Sequence, residues 1–103
     1  MELDELIIKH NIKKRSFKCY EEYMKNYKLE DPNDYEDLFL SKNINEVELR
    51  IHSIAYVINC YFDKDIRYLA STIRLIYDDI EFAEYKVFFN LHGEIEDDYL
   101  IEI

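Results

Sequence analysis

EVELRIHSIAYVINCYF, residues 46–62, is the stretch whose reading decides the fold of this 103-residue chain. On a helical wheel, at 100° per residue, Val47, Ile51, Ile54, Ala55, Ile58, Tyr61 and Phe62 fall on one side. A smaller stripe of Leu49, Tyr56 and Cys60 lies nearly opposite. Asn45 and Glu48 have the spacing of a helix-capping pair. A helix apolar on two sides belongs at the centre of a core, so the wheel predicts a central helix over 46–62. The same residues alternate over part of 47–57, and their Ile and Val content suits a strand equally well. Both readings stay open here.

Working outward, the helical period is clearest before this stretch. Glu2 to Lys9 reads as a short helix with Leu3, Leu6 and Ile7 on one side and acidic residues in its first turn. Ser16 reads as an N-cap, and Phe17, Tyr20, Tyr23, Met24 and Tyr27 then share one face at spacings of three and four. Asp31-Pro32 has the cap-then-proline signature of another helix start, with Tyr35, Leu38 and Phe39 as its stripe. Beyond the central stretch, residues 66–80 carry Ile66, Leu69, Ala70, Ile73, Ile76, Tyr77 and Ile80 at helical spacing. From residue 84 the pattern changes. Tyr85, Val87, Phe89 and Leu91 alternate with their neighbours, His92-Gly93 can turn the chain, and Ile95, Tyr99, Ile101 and Ile103 resume on alternate positions.

The single Gly and single Pro favour helix connections over the tight turns of a sheet. The expected architecture is α+β but predominantly helical, with four to five short helices packed on one core and a C-terminal β-hairpin. Residues 1–103 form a single compact domain in this reading. Two alternatives remain. One is an all-α bundle in which a helix runs to Leu91 and Gly93 caps it. The other is a set of N-terminal helices followed by an antiparallel β-meander, with 47–57 and 69–77 as strands.

Charge bounds the function. Thirteen Lys and Arg against 23 Asp and Glu give a net charge of −10, distributed unevenly along the chain. The first 30 residues are near neutral, whereas the acidic excess is concentrated after residue 62. A surface of that sign repels phosphate backbones and anionic membranes and attracts a basic partner. The basic run Lys13, Lys14, Arg15 and Lys18 is too small to reverse this, and reads as a solvated segment. No stretch is apolar for the roughly 18 residues of a membrane span. The acidic start lacks the features of a secretory signal, which makes an intracellular, cytoplasmic protein the expectation.

Motifs of catalysis and ligand capture are missing from the sequence. One Gly is too few for a phosphate-cradling loop. His52 and Cys60, the nearest thing to a base and a nucleophile, would stand about 12 Å apart along a helix. Asp63-Lys64-Asp65 opens like a calcium loop but has Tyr68 and Arg74 where Gly and Glu are needed. Cys19 and Cys60 read as reduced, partly buried thiols. No cofactor and no metal are therefore expected, and no enzymatic activity.

Two acidic clusters remain: Asp78, Asp79, Glu81 and Glu84, then Glu94, Glu96, Asp97 and Asp98. Tyr85 and Tyr99, with Phe88, could add aromatic anchors beside them, which is the composition of a tight protein interface. In size, charge and want of a catalytic motif, the chain is similar in general character to immunity proteins, antitoxins and phage- or virus-encoded inhibitors. The expected function is a small acidic non-catalytic binding protein that neutralises a basic protein partner, such as a nucleic-acid-handling protein, without touching nucleic acid itself. The competing reading is a small homo-oligomeric structural or regulatory protein, a homodimer for example, whose Tyr20, Tyr23 and Tyr27 pack against a second copy.

Overall fold

Residues 46–62 form no helix. A computed structural model describes residues 2–103 and shows three helices followed by four strands. The helices are α1 (Leu3–Lys9), α2 (Ile12–Glu30) and α3 (Pro32–Leu38). A single 3-10 turn, Ile44–Glu46, leads into β1 (Glu48–Asn59), β2 (Ile66–Tyr77), β3 (Ile80–Asn90) and β4 (Ile95–Glu102). The strands make one antiparallel meander in the order β1-β2-β3-β4. Strands hold 42% of the chain and helices 35%, so the predominantly helical expectation is overturned. The helices predicted over 46–62 and 66–80 are β1 and β2. The arrangement is α+β, with N-terminal helices and a β-meander that contains the C-terminal hairpin as β3–β4.

The physical reason lies in a β-bulge. Ile51 pairs with Ile73 and Ser53 with Thr72, which leaves His52 as an extra residue in β1. Side chains facing the helices therefore run Leu49, Ile51, then Ile54, Tyr56 and Ile58. One step of three inside a series of twos imitates a helical stripe. In β2 the period is hidden differently. It is an inner strand, so Leu69, Ile73 and Leu75 are buried on one face while Ala70, Thr72 and Ile76 are buried on the other. Glycine scarcity misled for a third reason. The two-residue β2–β3 turn is made by Asp78 (φ 52°) and Asp79 (φ 63°), both left-handed as a type I′ turn requires. Aspartate tolerates that region better than most side chains do.

One face of the sheet is covered, chiefly by α2. Leu69, Ser71, Ile73 and Leu75 of β2 and Ala83, Tyr85, Val87 and Phe89 of β3 are fully buried beneath it. The predicted α2 stripe is the other half of this contact, since Tyr20 and Met24 are buried and Phe17, Tyr23 and Tyr27 partly so. Ser16 is not a cap. It lies inside α2, fully buried, where its hydroxyl donates to the Ile12 carbonyl at 2.6 Å and shares a 2.8 Å contact with the Ser71 hydroxyl. Asn43, not Asn45, caps the short turn before β1, accepting the Asn45 N–H through its side chain. Among the described residues no helix is long and apolar enough to cross a membrane.

The basic run falls in the first turns of α2, and Arg15 has a structural task. Its guanidinium donates to the Gly93 carbonyl at 2.7 Å and lies 5.1 Å from the centre of the Phe89 ring. His10 Nε2 sits 3.1 Å from the Leu91 carbonyl, so the α1–α2 corner grips the β3–β4 turn from two sides. Gly93 is at φ +85°, and a Cβ there would stand 2.4 Å from His10 Nδ1. Gly93→Ala is expected to cost about 2 kcal/mol, combining left-handed strain with that clash. Asp79→Gly should instead stabilise the β2–β3 turn by roughly 0.5–1 kcal/mol. Thermal or denaturant unfolding measures both, and the two substitutions must move stability in opposite directions.

Candidate functional site

The acidic residues singled out in the sequence do not form one surface. Asp78 and Asp79 sit at the β2–β3 turn, with Glu81 and Glu84 just beyond it. Glu94, Glu96 and Asp97 lie around the other end of β3. At about 3.3 Å per residue, the 11-residue β3 sets Asp78 and Asp79 about 30 Å from Glu94, while Glu84, in mid-strand, lies only four residues short of Phe88, the partner of Asp97. The first cluster is also partly neutralised. Arg74 Nη1 is 2.6 Å from Glu81 Oε2, and its Nε donates to Glu84 Oε1 at 3.1 Å, on the sheet face away from the helices. Only Asp78 and Asp79 stay unpaired there.

At the opposite end a second bulge sorts the side chains. Phe88 pairs with Asp97 and Phe89 with Ile95, which makes Glu96 the extra residue and leaves it exposed. Asp97 then faces outward with Tyr99, while Asp98 faces the helices. The Asp98 carboxylate accepts the Tyr85 hydroxyl at 2.8 Å. Glu94 is held loosely by the Asn90 side chain at 3.4 Å. Tyr85 offers no surface to a partner. It is fully buried, with the rings of Tyr20 and Tyr23 each 5.5 Å away. Tyr99 is half-exposed on the open sheet face, where it neighbours Phe88 and through it Tyr68.

Between α2 and β4 runs a groove of about 550 Å³. Glu22, Glu30 and Asp31 line it from the helix side and Asp98 from the strand side, with no Lys or Arg in its lining. Sequence reasoning named Asp98 but missed the other three. The signal was present, because Glu22, Asn26 and Glu30 follow at steps of four beside the buried Tyr23–Tyr27 stripe. Spacing alone does not make it a site, since nothing in the sequence says that β4 passes alongside.

The groove lining offers four carboxylates, two phenols, one amide and one thiol. Cys19 is its only nucleophile, and burial pushes that thiol up; Arg15 opposes the shift, while Asp98 and Glu22 add to it. A thiol with a raised value is protonated at neutral pH and a poor nucleophile. Among the described residues no three His, Cys, Asp or Glu side chains converge to hold a metal ion. In comparisons with known proteins, no family model matches this chain, and neither does any curated protein or solved structure. The groove is therefore interpreted from its own chemistry.

Tyrosine ionisation probes the packing beneath α2. Burial pushes the phenols of Tyr20 and Tyr85 far up, and at Tyr85 the bond to the Asp98 carboxylate adds to it. In the unfolded chain both return to about 10. The folded values lie above the unfolded ones, so the stability they contribute is complete below pH 10. It is lost as pH rises further, because the unfolded chain releases protons that the folded one keeps. Phenolate absorbance should rise in two phases, the later one coinciding with loss of circular dichroism. A single reversible rise near pH 10, with the fold intact, would contradict this burial.

Proposed function

We propose that this chain is a non-catalytic binding protein that engages a basic protein partner, in the manner of an immunity protein, antitoxin or viral inhibitor. The observation that carries the reading is the groove between α2 and β4, whose charged lining is wholly carboxylate. Glu96 and Asp97 lie apart from it, Asp97 on the opposite face of the sheet. Two separate parts of the chain supply the groove's carboxylates, so the acidity of this side is more than a local run of sequence. A cationic side chain entering the groove gains several carboxylates at once, and Asn26 offers it a neutral polar contact. Such fields act mainly on the rate of encounter and on the choice of partner.

The self-association reading loses its predicted surface, since Tyr20, Tyr23 and Tyr27 are committed to packing within the molecule. Charge reversal tests the binding reading once a partner has been isolated by co-purification. Glu22→Lys, Glu30→Lys and Asp31→Lys together reverse the groove's charge and avoid Asp98, which holds Tyr85. They are expected to slow association by about tenfold or more and to flatten its dependence on salt. Asp78→Lys with Asp79→Lys, at the far end, should change the rate much less. A partner bound equally fast by all three proteins at all ionic strengths overturns the proposal.

A further inference from the structure

The two outer strands of the meander are treated very differently. An unpaired strand edge invites pairing with another chain, and proteins normally protect it with charge, proline or a bulge. β4 is protected. It carries Glu96, Asp97, Asp98 and Glu102, a bulge at Glu96, and an Asp97 carboxylate that accepts the Asp98 N–H at 2.8 Å. β1 has Glu48 and Arg50 at its start and a bulge at His52, and nothing of the kind beyond. From Ile51 to Phe62 there is no Asp, Glu, Lys, Arg or Pro, the longest uncharged run in a chain of net charge −10.

That run is also uncovered. β1 and β2 continue past the last residue of β3, whose Asn90 pairs with Tyr68, and form a projecting hairpin. Tyr56, just before the projection, is 36% exposed; within it Ile58 is 45%, Phe62 56% and Tyr61 89% exposed. The molecule is correspondingly long, 44 × 26 × 21 Å, with a radius of gyration of 15.0 Å against about 13 Å for a compact chain of this size. Apolar side chains this exposed on a strand edge mark an interaction surface.

We propose that this edge pairs with the β1 edge of a second copy, antiparallel about a two-fold axis at Tyr56, to give one eight-stranded sheet. Two features select a second copy over a foreign strand. The segment Ile54-Ala55-Tyr56-Val57-Ile58 reads nearly the same in both directions. Paired about its centre, Ile54 meets Ile58 of the other copy, Ala55 meets Val57, and Tyr56 meets itself. Like therefore meets like on both faces, as a two-fold contact demands. The second feature is charge. Two copies that each carry −10 repel through most of their surfaces, and the uncharged run is where they approach without opposed carboxylates. The contact closes on itself, because the β4 edges left at the ends of the doubled sheet are the protected ones. It lies on the far edge from the α2–β4 groove and does not depend on what that groove binds.

Sedimentation of the full chain over a wide concentration range tests the proposal. A reversible monomer–dimer equilibrium is expected, weakened at least about tenfold by Ile58→Lys, with circular dichroism unchanged. Cross-linking fixes the register independently of that variant. In a Cys60→Ser background, Tyr56→Cys should form a disulfide-linked dimer under mild oxidation, because its mate lies directly across the axis, whereas His52→Cys should not. The native chain remaining monomeric at every concentration overturns the proposal. So does a dimer indifferent to Ile58→Lys that cross-links no better through position 56 than through 52, which would place the contact elsewhere.

Discussion

The closure of α2 over β2 and β3 is the contact on which the remaining structure depends. No other helix lies along the sheet for more than two turns, and the buried rows of β2 and β3 have no other cover of comparable length. Tyr20 and Tyr23 close on Tyr85, and beyond them Tyr27, Tyr35, Phe39 and Phe82 continue ring against ring toward the far end of the sheet. Each such pair adds about 0.5–1.5 kcal/mol to what burial alone supplies. Small residues matter as much in one place. Ser16 and Ser71 let the helix approach the sheet closely, and their shared hydroxyl contact leaves neither polar group unsatisfied. Arg15 and His10 then fasten the opposite end of α2 to the β3–β4 turn.

The length of that helix sets what it leaves open. Nineteen residues at 1.5 Å each cover about 28 Å, whereas the 12-residue strands β1 and β2 reach about 40 Å. The shortfall is the projecting end of the β1–β2 hairpin, where Ile58 is left 45% exposed on the helical side. On its other flank α2 runs beside β4 without filling the space between, and this produces the acidic groove. Carboxylates are tolerated in the groove because it is open to water, where two like charges 4 Å apart repel by only about 1 kcal/mol.

The helices were legible because their periodicity was uninterrupted: the α2 stripe, the Asp31-Pro32 start of α3 and the opening turn of α1 all lie where spacing puts them. The hairpin from Tyr85 to Ile101 was legible for the matching reason, since β3 alternates cleanly after Phe82. What failed was alternation under local disruption. The bulge at His52 made β1 resemble a helix, and burial of both faces erased the period in β2. Asp78 and Asp79 occupied a turn normally signalled by Asn-Gly. The candidate site was half legible. Glu94, Glu96, Asp97 and Asp98 are a visible cluster, but the approach of Glu22, Glu30 and Asp31 depends on a helix–strand contact that no local pattern encodes. Tyr85 was misplaced for the opposite reason, because on a strand a tyrosine among acids can as well point inward.

The charge gradient along the sequence changes meaning once the chain is folded. Summed by segment, the first 30 residues are near neutral and the last 41 strongly acidic, which suggests one acidic end. In space the sums break up. Arg74 and its two carboxylates take part of the C-terminal acidity out of play, and the Asp78–Asp79 turn stands alone at one extreme. The nominally neutral first segment sends Arg15 toward the β3–β4 turn, Lys28 toward Tyr35, and its carboxylates Glu22 and Glu30 toward β4. The negative field a partner would meet is therefore built from both halves of the chain, along a seam between helix and strand. Net charge sets the sign of the protein's field, but the pairing of each charge decides where that field is felt.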